Sequence, residues 1–174
     1  NAPISTATIP PLEVLEAAYP VRFTKWALRS DSGGAGCWRG GLGGVYEIEL
    51  LEKNAEVFLF GERGRFAPKG IVGGESGALN RFHYQQGTTM HSPPMASKMV
   101  GINIEHGERL RLETPGGGGY GNASERAPDA VALDVVRGFV TPKSAKEIYC
   151  VALRKDGSVD KAATANLRSV GVKS

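Results

Sequence analysis

Glycine placement limits what this chain can become more than any other feature. Two segments hold so much of it that neither can be a helix or the middle of an ordinary strand. The first is Asp31-Ser32-Gly33-Gly34-Ala35-Gly36-Cys37-Trp38-Arg39-Gly40-Gly41-Leu42-Gly43-Gly44, too long for one hairpin turn; the second is Thr114-Pro115-Gly116-Gly117-Gly118-Gly119-Tyr120-Gly121. A third, turn-rich stretch runs from Gly61 to Gly77. Glycine makes up 24 of the 174 residues, about twice the ordinary usage of roughly 7%. Its clustering, without a three-residue period, excludes a collagen-like chain. Apolar runs between the clusters exclude simple low complexity.

A chain of 174 residues is one large domain or two small ones, with enough material for a core. Its formal charge is +3, and Lys and Arg are scattered with no run of five. The charge footprint of a nucleic-acid binder is missing. No apolar run approaches the roughly 20 residues of a membrane span, so no membrane partner is expected. Cys37 and Cys150 lie far apart, which argues against a disulfide framework and spells out no metal-ligand pair. A reducing, cytoplasmic setting is expected. Asn1 to Thr6 has neither the basic segment nor the apolar region of a signal peptide. The missing initiator Met points to a chain cut from a longer polypeptide upstream of Asn1.

The first ten residues read as extended. Pro10-Pro11 opens a short helix over 12–18, which Pro20 ends. Val21 to Arg29 alternates as a strand, with Phe23, Lys25, Ala27 and Arg29 opposite Arg22, Thr24, Trp26 and Leu28. Strands follow over 45–51, with Tyr46, Ile48 and Leu50 against Glu47 and Glu49, and over 56–60, joined by a hairpin loop at 52–55. Further strands are expected at 80–85, 99–104 and 110–114. The composition then turns helical. One helix runs from Asp129 to Arg137, with Val131, Leu133, Val135 and Val136 as its apolar side and Gly138 as its stop. A second covers 143–148 with Thr141 as N-cap. A strand at 149–153, a turn at Lys155-Asp156-Gly157 and a last helical stretch over 159–168 complete the reading.

No self-contained catalytic constellation emerges. Bare backbone amides can converge on an anion, yet Gly116–Gly121 lacks the Lys-Ser/Thr of a P-loop, and Gly34-Ala35-Gly36 fails a dinucleotide spacing because Arg39 replaces the third glycine. Tight turns and close backbone approach explain the same loops. His83, His91 and His106 have no metal-ligand spacing and read as surface or loop residues. Ser32 lacks a nucleophile elbow and suits local turn hydrogen bonds. Arg39, Arg63 and Arg65 lie beside glycines, where a guanidinium can grip a carboxylate or phosphate, or brace a loop by bonding carbonyls.

The loops themselves resemble a family. Asp31–Gly36 followed by Trp38-Arg39-Gly40-Gly41-Leu42-Gly43 is similar to the DSGGAG-x-[YW]-RGGLG signature of the hydantoinase B/oxoprolinase family. Thr114–Gly121, then Glu125-Arg126 and Pro128, resembles its TPGGGGYG-x-x-x-ER-x-P signature. The stretch Gly61–Gly74, the pair Ser97-Lys98 and the tail Val140–Tyr149 match in the same order. Cys37, Asn122-Ala123 and Cys150 depart from the usual pattern. The resemblance implies the C-terminal portion of a B-type subunit in an ATP-dependent enzyme that hydrolyses hydantoins, 5-oxoproline or related lactams. The family's ketone carboxylases are the alternative, and a non-catalytic β-rich interaction module is the rival from another class. The implied partners are a hydantoinase A-type subunit, which activates substrate by phosphorylation, and the N-terminal remainder of the B-type subunit. ATP and a divalent metal are expected elsewhere in the complex, and no cofactor or metal is expected on this chain.

The expected fold is α+β: a mainly β region with long glycine-rich loops, then a small helical region. Its parts are an arm and short helix over 1–20, a glycine-loop domain over 21–127 and a helical subregion over 128–174. The candidate interface or active-site residues are Asp31, Ser32, Gly33, Gly34, Arg39, Gly116, Gly117, Gly118, Gly119 and Tyr120. Their expected role is close backbone approach and N–H donors aimed at an oxyanion or phosphate.

Overall fold

A computed structural model describes residues 10–171. The extended reading of the first ten residues therefore falls, up to residue 9, outside the described residues. Helix α1 (Leu12–Ala18) starts after Pro11 and ends before Pro20, as proline chemistry requires. Seven strands follow: β1 (Val21–Leu28), β2 (Gly44–Leu50), β3 (Asn54–Phe60), β4 (Arg81–Gln86), β5 (Thr89–His91), β6 (Lys98–Glu105) and β7 (Arg109–Glu113). Five form an antiparallel sheet in the order β1-β2-β7-β4-β5, and β3 pairs with β6 in a second, two-stranded sheet.

Three local readings change. Residues 52–55 are no hairpin loop, because β2 and β3 lie in different sheets and Asn54 and Ala55 already belong to β3. The alternation of β1 breaks at a bulge between Phe23 and Lys25. A bulge adds one residue and reverses the faces beyond it. Phe23 and Trp26 consequently share a face, ring centroids 5.3 Å apart, with Tyr46 stacked edge-on 4.4 Å from Trp26. Finally, β5 was not expected. It hairpins onto β4 through Gly87, whose positive φ of 59° suits a tight turn and whose N–H donates to the Glu108 carboxylate. This hairpin places His83 and His91 in strands, His91 stacked on Tyr84.

The two sheets share one core of Leu50, Leu59, Phe82, Tyr84, Ile102 and Ile104. It gathers the inward residues of β2, β3, β4 and β6, as period-2 patterning demands. The other face of β2 and β7 carries a charge ladder. Arg109 meets Glu49 at 3.1 Å, Arg111 meets Glu47 at 3.5 Å, and Arg111 also meets Glu113 at 2.9 Å.

The remaining chain is helical: α2 (Pro128–Val136), α3 (Pro142–Glu147) and α4 (Lys161–Gly171). Thr141 Oγ1 accepts from Ser144 N at 3.1 Å and caps α3. Gly138, at φ 72°, ends α2 in the left-handed conformation. The helix expected from Val159 starts two residues later, since the Asp160 carboxylate caps it by accepting from Ala163 N at 3.0 Å. The strand expected over 149–153 does not form. Cys150 takes a left-handed φ of 53°, and Ala152 N donates to Thr164 Oγ1, so the segment folds back on the helices; one bridge, Leu153 to Val159, remains.

The inner side of α2 also differs from the apolar reading. Val131 is fully buried and Val135 packs inward, whereas Leu133 and Val136 are exposed and Asp134 is buried in their place. Positions 131, 134 and 135 lie one turn apart on a single face, so Asp134 projects inward. A second core forms from Val131, Val140, Ala145, Tyr149 and Val151 together with Ala35 and Ala123. The first glycine segment is thus part of the wall of the helical core.

Burial pushes the Tyr149 hydroxyl up to about 12. Its folded value lies above its ordinary one, so the neutral phenol stabilises the fold fully below pH 10. That contribution fades as pH rises from 10 through 12. Tyr149→Phe is expected to flatten the alkaline fall in stability by at most about 2 kcal/mol, read from denaturant midpoints between pH 9 and 12. An unchanged alkaline slope would contradict it.

Candidate functional site

The glycine segments do not open to solvent as separate loops. They lie against one another, with Gly70–Glu75 as a third row. Gly34 N donates to Gly117 O at 2.8 Å, Gly117 N to Gly41 O at 2.9 Å, and Gly119 N to Glu75 O at 2.9 Å. Trp38 and Tyr120 exchange both backbone bonds at 3.0 and 2.9 Å, while Ile71 N donates to Gly119 O and Gly121 N to Ile71 O. Tyr120 thereby sits in a miniature sheet, antiparallel to Trp38 and parallel to Ile71.

Close approach is the reason for glycine here. A Cβ on Gly116 would overlap the Ser32 carbonyl and come within 2.8 Å of Gly33 N; one on Gly34 would overlap Glu75 O and come within 2.7 Å of Gly119 N. Gly118 is hemmed in likewise by Lys69 and Gly119 by Ala35. Gly117 is looser, with Gly41 N 3.2 Å from a would-be Cβ. The Gly116–Gly119 run needs no positive φ, which first appears at Gly121. The expected close backbone approach is present. The N–H groups of Gly34, Gly117, Gly119, Tyr120 and Gly121 end on carbonyls of the neighbouring rows. Backbone polar groups out of water must find partners, and rows this close supply them.

The side chains of the segments brace the same structure. Ser32 is buried; its hydroxyl donates to Arg29 O at 2.5 Å and accepts from Gly43 N at 2.8 Å. Ser32→Ala would leave the Gly43 amide without its partner. It is expected to cost about 1–3 kcal/mol of stability, read by chemical denaturation. Intact stability with lost activity would instead mark Ser32 as a reacting group. Asp31, at φ 56°, accepts from Thr141 N at 2.9 Å and donates its own N–H to Phe139 O, tying the first row to the start of α3. A cavity of about 50 Å³ beside Asp31, Gly33 and Gly34 has room for a water or two and no substrate.

Arg39 takes the bracing role. Its Nε reaches Asp134 Oδ2 at 3.1 Å, its Nη1 donates to Gly40 O at 2.7 Å, and its guanidinium lies 5.5 Å from the Phe139 ring centroid. Arg126 meets the same Asp134 oxygen at 2.9 Å and donates to Cys37 O at 3.1 Å. One carboxylate, 6% exposed, therefore holds two arginines and fastens the first glycine row to α2. Sequence reasoning missed Asp134 because it scored α2 by its apolar residues. An acidic residue one turn beyond Val131 was the available signal.

What the rows present outward is apolar: Trp38, Ile71 and Tyr120 are 70%, 61% and 47% exposed. Among the described residues, no group of three or more His, Cys, Asp and Glu side chains is placed to hold a metal ion. Among the described residues, no helix is long and apolar enough to cross a membrane.

Fold and site together define an α+β scaffold with backbone rows at its centre and an aromatic rim. Known proteins share it. A family model described as Hydantoinase B/oxoprolinase matches residues 1–123. A Pseudomonas sp. (strain NS671) protein, named as the B-type subunit of a D-/L-hydantoinase, is 31% identical over 160 residues, covering 92% of this chain and 27% of the relative. The crystal structure of the ATP-dependent caprolactamase from Pseudomonas jessenii superposes with a TM-score of 0.74 at 32% identity, over 91% of this chain and 28% of that one. A nucleotide-free acetone carboxylase has the same fold, with a TM-score of 0.84 at 24% identity over 96% of this chain and 27% of that one. The chain belongs to the hydantoinase B/oxoprolinase family. It spans about a quarter of the length of these relatives.

Proposed function

We propose that this chain is the C-terminal part of the B-type subunit of an ATP-dependent cyclic-amide hydrolase of the hydantoinase/5-oxoprolinase type. It acts there as scaffold, and its partners are a hydantoinase A-type subunit and the rest of its own B-type subunit. The observation that carries this reading is the family match, which takes in both glycine segments. The hydrogen bonds between the rows agree with a supporting role: residues 31–44 and 114–121 hold a shape, and ATP and metal chemistry belong to other parts of the complex. The rim of Trp38, Ile71 and Tyr120 is the surface those parts cover, since large exposed aromatics grouped on rigid backbone are typical of buried interfaces.

The test is ATP turnover by the assembled complex with hydantoin, 5-oxoproline, caprolactam, and acetone plus bicarbonate. Turnover coupled to ring opening of a cyclic amide is expected. Turnover with the ketone alone would move the assignment to the carboxylases. A stable solitary monomer with no co-purifying chain would favour an interaction module. Trp38→Ala combined with Tyr120→Ala is expected to leave the fold intact and abolish co-purification; unimpaired assembly would remove the rim from the interface.

A further inference from the structure

Away from the glycine rows, the loops Gly61–Phe66 and Pro94–Lys98 enclose a cleft of about 740 Å³. Its two walls are tied together. Gly61 N donates to Ser97 O at 2.8 Å, and Ser97 Oγ donates back to Gly61 O at 2.9 Å. From behind, Asn80 N donates to Arg63 O and Asn80 Nδ2 to Glu62 O, both at 2.9 Å. A Cβ on Gly64 would come within 2.7 Å of Ser97 Cβ, so the walls meet closely. Each wall holds a non-glycine residue in the left-handed region, Arg63 at φ 62° and Ala96 at φ 55°. Such a conformation persists only where surrounding contacts impose it, and it gathers at binding sites.

The cleft's charge is unbalanced. Glu62 is taken by Lys98, at 2.8 Å. Among the described residues, Arg63 and Arg65 make no ion pair. Two arginines without an ion pair thus line a cleft whose carboxylate is already paired. Its apolar surface comes from Phe66 and Met95, 74% and 71% exposed, with the Arg65 guanidinium 5.8 Å from the Phe66 ring centroid. The volume falls within the roughly 300–1,000 Å³ of small-molecule sites. A guanidinium offers a planar fork of donors matched to carboxylate and phosphate oxygens.

We propose that this cleft is a binding site for a small organic anion, a carboxylate or phosphate ester on a compact apolar body, with Arg63 and Arg65 gripping the anion and Phe66 and Met95 holding the body. The assignment does not depend on the activity proposed above, because it requires neither ATP nor a partner's reaction.

The test is equilibrium binding of benzoate, phenyl phosphate and neutral benzamide to the chain, in the assembly in which it is isolated and at low salt. Saturable binding of at least one anion and none of benzamide is expected. Binding of benzoate alone identifies a carboxylate site, of phenyl phosphate alone a phosphate-ester site. Arg63→Gln with Arg65→Gln should weaken it about tenfold or more, whereas Arg154→Gln, an exposed arginine elsewhere, should not. Absence of saturation with both anions, equal binding of benzamide, or undiminished binding by the double variant overturns the proposal. Should the double variant fail to fold, Phe66→Ala decides: weakened binding supports the site, unchanged binding overturns it.

Discussion

Gly116→Ala is expected to destabilise this chain by more than about 4 kcal/mol, at the exceptional end of single substitutions. The new methyl would overlap the Ser32 carbonyl and press on Gly33 N. Both are backbone atoms, and backbone cannot rotate aside as a side chain can. Relief requires the rows to part, which breaks the bonds from Gly34 N to Gly117 O and from Gly117 N to Gly41 O. Against a total stability of about 5–15 kcal/mol, the variant should lose a large share of its stability and unfold at a much lower urea concentration. Gly41→Ala is the matched control. A Cβ there meets nothing within 4 Å, and its φ is not positive, so the change should be neutral or stabilise by about 0.5 kcal/mol through the unfolded state. Urea midpoints for the two variants separate the readings. Similar midpoints would mean the rows are not held as described.

Asp134→Ala should cost about 3–5 kcal/mol, the usual penalty for removing one partner from a buried ion cluster. The loss leaves the guanidiniums of Arg39 and Arg126, both largely buried, with no carboxylate between them. The cost arises from two stranded charges more than from lost attraction, so a second variant tests the cause. Replacing the trio together, Arg39→Met, Asp134→Leu and Arg126→Met, should recover most of the stability, because apolar groups of similar volume need no counter-charge. If the triple variant is as unstable as Asp134→Ala, charge stranding is not the cause. If Asp134→Ala loses less than about 1 kcal/mol, the cluster does not fasten the rows to α2.

Much of the secondary structure was legible because it answers to local rules. The alternation in β2 and β7, the prolines around α1 and the Thr141 cap each depend on a few neighbouring residues. The misreadings share a different cause. The 52–55 segment has hairpin composition, yet β2 prefers β1 and β7 as neighbours while β3 prefers β6. The 149–153 segment has strand composition and no strand to pair with; its Ala152 amide is taken by Thr164. Asp134 could not be singled out from local sequence, because one of its two arginines, Arg39, lies 95 residues away. As for the candidate residues, Asp31, Ser32, Gly33, Gly34, Arg39 and Gly116–Tyr120 do gather in one place, but as mutual supports with the aromatic rim as their outward face.

Family membership and the demand for bare backbone at 31–44 and 114–121 were written in the residues themselves, since nothing but glycine tolerates such crowding. The destination of each amide was not. A glycine N–H donates equally well to a phosphate, a water or a carbonyl, and identity at one position says nothing about which will be near. Folding decided that by bringing rows some eighty residues apart into register, where carbonyls took up the neighbouring N–H groups of Gly34, Gly117, Gly119, Tyr120 and Gly121.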